Sequence, residues 1–268
     1  MNKKLKINKY KTKTKTKLKY YKKTIKNFQK TKMHQVIHES DLDDIYFQYI
    51  TEGVKEYEVR VNDDKRQKIK KNDIWKFRNK SNPNLPLLET LVTERKEYKS
   101  FSDAINATGF NKLLPQVQSI EEAIETYENF NDGKYKTDAE IYGVVMFKLQ
   151  IIHTINIQNP KKCPTFDYIK SGQKKVEGRK YAPRYHNLKV NNIIRFVCYD
   201  EILMKTIKAI RLYKTLEDYL NTEGFKKVLP CVNTFENALK LYNTWSTEKD
   251  RNNLIEKYGY GFMAIELK

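Results

Sequence analysis

GVKEYEVR at Gly53–Arg60 and GQKKVEGR at Gly172–Arg179 spell one pattern, Gly-x-Lys-x-x-Glu-x-Arg, twice, 119 residues apart. One match could arise by chance in a chain rich in Lys, Glu and Arg; two, set in longer matching text, indicate a duplicated unit. The same offset pairs His34 with His153, Phe47 with Phe166, Ile50 with Ile169, Ile74 with Ile193 and Phe77 with Phe196. Further along, the offset falls to 115, where Asp103, Asn106, Gly109 and Phe110 meet Asp218, Asn221, Gly224 and Phe225. KLLPQV (112–117) then matches KVLPCV (227–232), Ala123 and Tyr127 match Ala238 and Tyr242, and YGVVMFKL (142–149) matches YGFMAIEL (260–267). Units of this size can each bury a core, which favours two globular domains, at 33–150 and 151–268, over a solenoid.

Residues 1–32 differ from the rest. They hold 14 Lys and no acid, with too few apolar residues to bury a surface, so a disordered basic tail is expected. Residues 33–150 carry 17 basic and 21 acidic side chains, and residues 151–268 carry 21 and 12, so the second unit is the basic one. A lysine tail attracts polyanions through counterion release, with little sequence preference. The charge asymmetry selects the second unit as the principal binder of an anionic ligand.

Cys163, Cys198 and Cys231 are far apart and odd in number, which points to reduced thiols in an intracellular protein. The compartment expected is the cytoplasm, and also the nucleus given the basic tail. His34 and His38 lack further ligands nearby, so no metal and no cofactor are expected. No apolar run approaches 18 residues, which argues against a membrane span. The protein is expected to act as a monomer. Lys-, Asn-, Ile- and Tyr-rich composition hints at an AT-rich genome such as that of a large DNA virus.

Within each unit the pattern reads strand, helix, strand, strand, strand, helix, helix, strand. DDIYFQYITEG and PTFDYIKSG have helical spacing and stop at Gly53 and Gly172, as left-handed glycine caps do. On the strand that follows, Glu58 and Arg60 share a face, as do Glu177 and Arg179. Ser100 and Thr215 read as N-caps, and Ser119 with Glu122 as a capping box. Mostly antiparallel strands with helices at the ends give an α+β class, as a small β-barrel in each unit.

The Gly-x-Lys-x-x-Glu-x-Arg strand after a capped helix, with the Gly-Phe-x-Lys-x-Leu-Pro and Tyr-Gly segments, resembles the ASCH domain, a branch of the PUA-like fold. The resemblance covers nearly all of residues 33–268, twice. It implies a β-barrel with a cleft beside the motif and a ligand that is RNA or a modified nucleoside.

The residue chemistry agrees with that implication. Glu is acceptor-only when ionised, while Arg and Lys supply donors and positive charge. Lys174, Glu177 and Arg179, and in the first unit Lys55, Glu58 and Arg60, are therefore the expected nucleotide-binding groups. Tyr181 and Tyr185 are candidate stacking partners for a base. Some ASCH proteins resemble amidohydrolases of acetylated cytidine and others are nucleases, so a hydrolase acting on RNA or acylated cytidine is the alternative, with Lys174 and Glu177 as its acid–base pair. The amidohydrolase pattern places a Thr nucleophile three residues after the motif Lys; here Glu58 and Glu177 stand there.

Overall fold

The computed structural model describes residues 35–268, so the expectations for the tail at 1–32 and for His34 lie outside the described residues. Ile37–Lys268 form one compact unit. Its first half runs β1 (Ile37–Leu42), α1 (Asp44–Thr51), β2 (Tyr57–Val61), α2 (Asp64–Gln67), β3 (Ile74–Asn79), β4 (Leu88–Tyr98), α3 (Phe101–Thr108), α4 (Ile120–Glu128), α5 (Lys134–Tyr142) and β5 (Val144–Asn156). The second continues as α6 (Thr165–Ser171), β6 (Val176–Lys180), β7 (Ile193–Cys198), β8 (Glu201–Tyr213), α7 (Leu216–Glu223), α8 (Phe225–Val228), α9 (Phe235–Trp245), α10 (Glu248–Tyr258) and β9 (Phe262–Leu267).

The fold is α+β, with one large mixed sheet in the order β1-β3-β4-β5-β7-β8-β9-β6 and β2 also paired to β5. β5 serves both halves. Val144–Ile151 pair antiparallel with β4, and Val144–Lys148 also with β2, whereas Ile152–Asn156 pair parallel with β7. The boundary drawn at residues 150 and 151 falls inside this strand. Ile74, Ile152 and Ile193 pack together across the junction, and Arg195 is 2.5 Å from Glu89.

Closed barrels were expected, and the pairing corrects this: among the described residues no ladder joins β2 to β1 or β6 to β5, so the sheet stays open. Side chains fill the curl instead. Phe47 and Ile50, one helical turn apart on α1, pack onto Trp75, Phe77 and Phe147, and Phe166 and Ile169 of α6 do the same against Ile194 and Phe196. The helices close the core without closing the ladder.

The opening strands also shift the internal register. His38 pairs with Trp75 and His153 with Ile194, so His153 is the counterpart of His38 at an offset of 115, not of His34. Their partners repeat: His38 Nε2 is 2.9 Å from Asp73 Oδ2, and His153 Nε2 is 3.0 Å from Asn192 Oδ1. The four extra residues of the second copy lie between β5 and α6, and Cys163 belongs to this longer loop. There the structure overturns the expectation of three reduced thiols, because Cys163 and Cys231 form a disulfide with Cα atoms 5.2 Å apart. Their 68-residue separation conceals a proximity that only the fold creates.

The capping signals hold. Ser100 accepts from the Asp103 N–H and Thr215 from the Asp218 N–H, and Gly172 ends α6 at φ 78°, a left-handed value that glycine adopts without strain. Ser119 accepts from the Glu122 N–H, but the Glu122 carboxylate closes on the N–H of Gln118, one residue before the cap. The single turns α2 and α8 are additions to the expected order, and so are the longer α5 and α10. The latter two bury one residue each, Ala139 and Arg251 respectively, so neither shows an apolar stripe in sequence.

Candidate functional site

The glycine turn after α1 delivers Lys55 under the edge strand β2, and the two-residue period of that strand turns Glu58 and Arg60 toward it. Lys55 Nζ lies 3.3 Å from Glu58 Oε2, and Arg60 Nε donates to Glu58 Oε1 at 2.5 Å. Arg60 also donates to the hydroxyl of Tyr135 at 3.1 Å. Lys55 and Glu58 are only 3% and 4% exposed, so this is an interior ion chain rather than a surface pair.

The second motif repeats the chain. Lys174 Nζ is 3.3 Å from Glu177 Oε2, and Arg179 Nη2 is 2.7 Å from Glu177 Oε1. Both lysines also reach one distant carbonyl, Lys55 that of Leu113 at 2.6 Å and Lys174 that of Val228 at 2.5 Å. This contact explains why the Lys-x-Leu-Pro block recurs with the motif, because one residue of each block receives the ammonium.

Burial would raise the Glu58 carboxyl, but Arg60 and then Lys55 beside it hold it below the usual carboxylate range; Glu177 is held down likewise by Arg179 and Lys174. Desolvation lowers Lys55 and Lys174, opposed by the adjoining glutamates.

The two halves differ around this shared core. In the first, Lys55, Glu58 and Arg60 line a cavity of about 460 Å³, walled by Tyr46, Tyr127, Phe130 and Tyr135. Phe130 meets Tyr46, Tyr127 and Tyr135 edge to face at 5.6–5.9 Å. Two ion pairs also line it, Lys80–Asp43 at 2.7 Å and Arg66–Asp63 at 2.9 Å. The volume suits a small organic ligand. In the second half, Arg179 lines a separate cleft with Arg184 and Tyr185, without Lys174 or Glu177.

Charge balance in the sequence selected the second copy, yet the cavity built on a complete motif lies at the first. Of the two candidate tyrosines, Tyr185 is buried and shares the cleft of Arg179, with the Arg184 guanidinium 4.7 Å from its ring centroid. Tyr181 is elsewhere, stacked on His186 at 4.2 Å. Tyr46, Phe130 and Tyr135 were missed as site residues because aromatics are common throughout the chain; Tyr127 was visible only as a repeat match.

Between the repeats, one substitution set alters the space behind the motif. Tyr219, Gly178 and Ala264 in the second half stand where the first has Ala104, Val59 and Met146. A Cβ on Gly178 would approach the Tyr219 hydroxyl oxygen to 2.1 Å, so that ring requires glycine opposite it. Tyr219 and Tyr242 then share a hydrogen bond at 3.0 Å.

Among the described residues no His, Cys, Asp and Glu group of three or more is placed to hold a metal ion, and no helix is long and apolar enough to cross a membrane. No curated protein sequence matches the chain. Among solved structures, the crystal structure of hypothetical protein PH0355 is 31% identical over 43% of this chain and 99% of its own, with a TM-score of 0.38. The solution NMR structure of protein PF0455 from Pyrococcus furiosus is 29% identical over 43% of this chain and 97% of its own, with a TM-score of 0.36. The family model of the ASCH domain matches residues 42–153, a span that contains the first motif and the cavity's lining residues other than Asp41.

Proposed function

We propose that the chain is an RNA- or nucleoside-binding protein made of two ASCH units, with its working cleft on the first. The observation that carries this reading is the cavity on Lys55, Glu58 and Arg60. Its aromatic walls suit a planar ring, and its floor offers an ionised acceptor beside guanidinium donors, the combination that reads the edge of a base. The second unit is supported by its repeated strand order, ion chain and lysine-to-carbonyl contact. Its cleft with Arg179 and Arg184, and the lysine-rich residues 1–32, would add affinity for the phosphate backbone.

The hydrolase alternative has less support. Lys55 and Lys174 are committed to backbone carbonyls and to the glutamates, which leaves neither free to shuttle a proton.

Titration of the full chain with a short single-stranded RNA of mixed sequence, and with cytidine, uridine, adenosine and guanosine, tests the proposal. Arg60→Ala should weaken the bound probe by tenfold or more while the variant retains its helix and strand signal. Binding of no probe by the parent, or equal binding by folded Arg60→Ala, refutes the reading. Salt dependence should lessen when residues 1–32 are deleted.

A further inference from the structure

Tyr127 on α4 and Tyr242 on α9 are counterparts at an offset of 115. The Tyr242 hydroxyl meets that of Tyr219. Ala104 stands at the place of Tyr219, and the Tyr127 hydroxyl, on a residue 2% exposed, has no hydrogen-bond partner. A buried hydroxyl without a partner is uncommon and requires an explanation. Tyr127 lies on the wall of the first-half cavity, and the charged and phenolic groups that face it, Glu58, Arg60, Tyr46 and Tyr135, line that cavity too.

We infer that the Tyr127 hydroxyl is a ligand-recognition group, which hydrogen-bonds an uncharged polar atom on a planar heterocycle held against Glu58 and Arg60, and that the chain takes one such ligand, in its first half. This rests on the reading of the cavity as a binding site and names what the site selects. The floor carboxylate repels a phosphate, and both cations beside it are already paired to it. An exocyclic amine or ring N–H suits Glu58, a carbonyl or ring nitrogen suits Arg60, and Tyr127 can donate or accept. Burial, with Glu58 adding to it, raises the phenol well above its ordinary range, so it keeps its proton. Its neighbours close the hydroxyl from water, so the ligand's entry requires a side chain of the cavity to move; Arg60, 18% exposed against 5% for Glu58, is the outermost of the ion chain. In the second half the same hydrogen bond is made within the protein, by Tyr219.

Tyr127→Phe removes the hydroxyl alone. On the full chain, titrated calorimetrically with the four nucleosides, it should lower the affinity of the best-bound one about tenfold, the worth of one lost hydrogen bond. The free variant should melt no lower than the parent. Tyr242→Phe should show the reverse: a lower melting temperature, unchanged affinity and a stoichiometry that stays at one. If Tyr127→Phe binds as the parent does while Arg60→Ala loses the ligand, the cavity reading stands and the role of Tyr127 is refuted. Two ligands per parent chain, one of them lost in Tyr242→Phe, would also overturn the inference. Parent protein that binds none of the nucleosides and no RNA refutes both readings together.

Discussion

Lys174 donates to the carbonyl oxygen of Val228 at 2.5 Å, across 54 residues of chain, and thereby ties the motif to the last residue of α8. Lys55 makes the same tie to Leu113. Replacing either lysine by Met should leave the buried glutamate with its arginine alone and free a buried carbonyl. Loss of about 1–3 kcal/mol of unfolding free energy is expected for each, measured by urea titration. A change smaller than about 1 kcal/mol would mean that the ammonium contributes little beyond its own desolvation.

Gly178 and Tyr219 form a matched pair that the first half replaces with Val59 and Ala104. Gly178→Val alone should lose at least about 1–3 kcal/mol from overpacking. Tyr219→Ala alone should lose about 3–5 kcal/mol through its cavity. Together they should lose less than the sum of the single changes, because valine refills the space vacated by tyrosine. Thermal and denaturant melts of the four-member cycle give the coupling directly.

Reduction of Cys163–Cys231 opens a loop spanning 68 residues. Loop entropy sets an upper value of about 4 kcal/mol for the effect. Cys163→Ser should reproduce the destabilisation caused by a reducing agent and become insensitive to that agent. Cys198, the buried free thiol, should give no such response when changed to Ser or Ala in the same assay.

Acid should weaken the fold through Glu58 and Glu177. Both carboxyls are held below their unfolded value in the native state, so between the two values the unfolded chain binds more protons and stability falls as pH falls. Their contribution is fully present above the ordinary carboxylate range near pH 4–4.5 and disappears as pH drops through the depressed native values. Glu177→Gln should flatten that acid limb when melting temperature is followed from pH 6 to pH 3; an unchanged limb would contradict the assigned coupling.

What was legible in the sequence follows from local causes. Glycine stops, Ser and Thr caps, and the alternation around Glu58–Arg60 act within a few residues, and all appear in the structure. The lone buried residues of α5 and α10 leave no stripe to find. The fate of the curled sheet depended on Phe47 and Ile50 filling it from α1, a tertiary event. The first-half cavity was not legible for a related reason: counting charge over whole units is blind to how Lys55, Glu58 and Arg60 are enclosed by aromatics from α1, α4 and α5.

β5 ties the two halves of the described fold into one sheet, so each half supports the pairing of the other. Residues 144–151 complete the sheet of one half, and residues 152–156 begin that of the other, without a hinge between them. Melting either half would leave this strand with a bare hydrogen-bonding edge and expose Ile152 with its neighbours Ile74 and Ile193. The two halves are therefore not beads on a string. A cut between residues 151 and 152 would sever β5 itself, at the point where its pairing passes from β4 to β7.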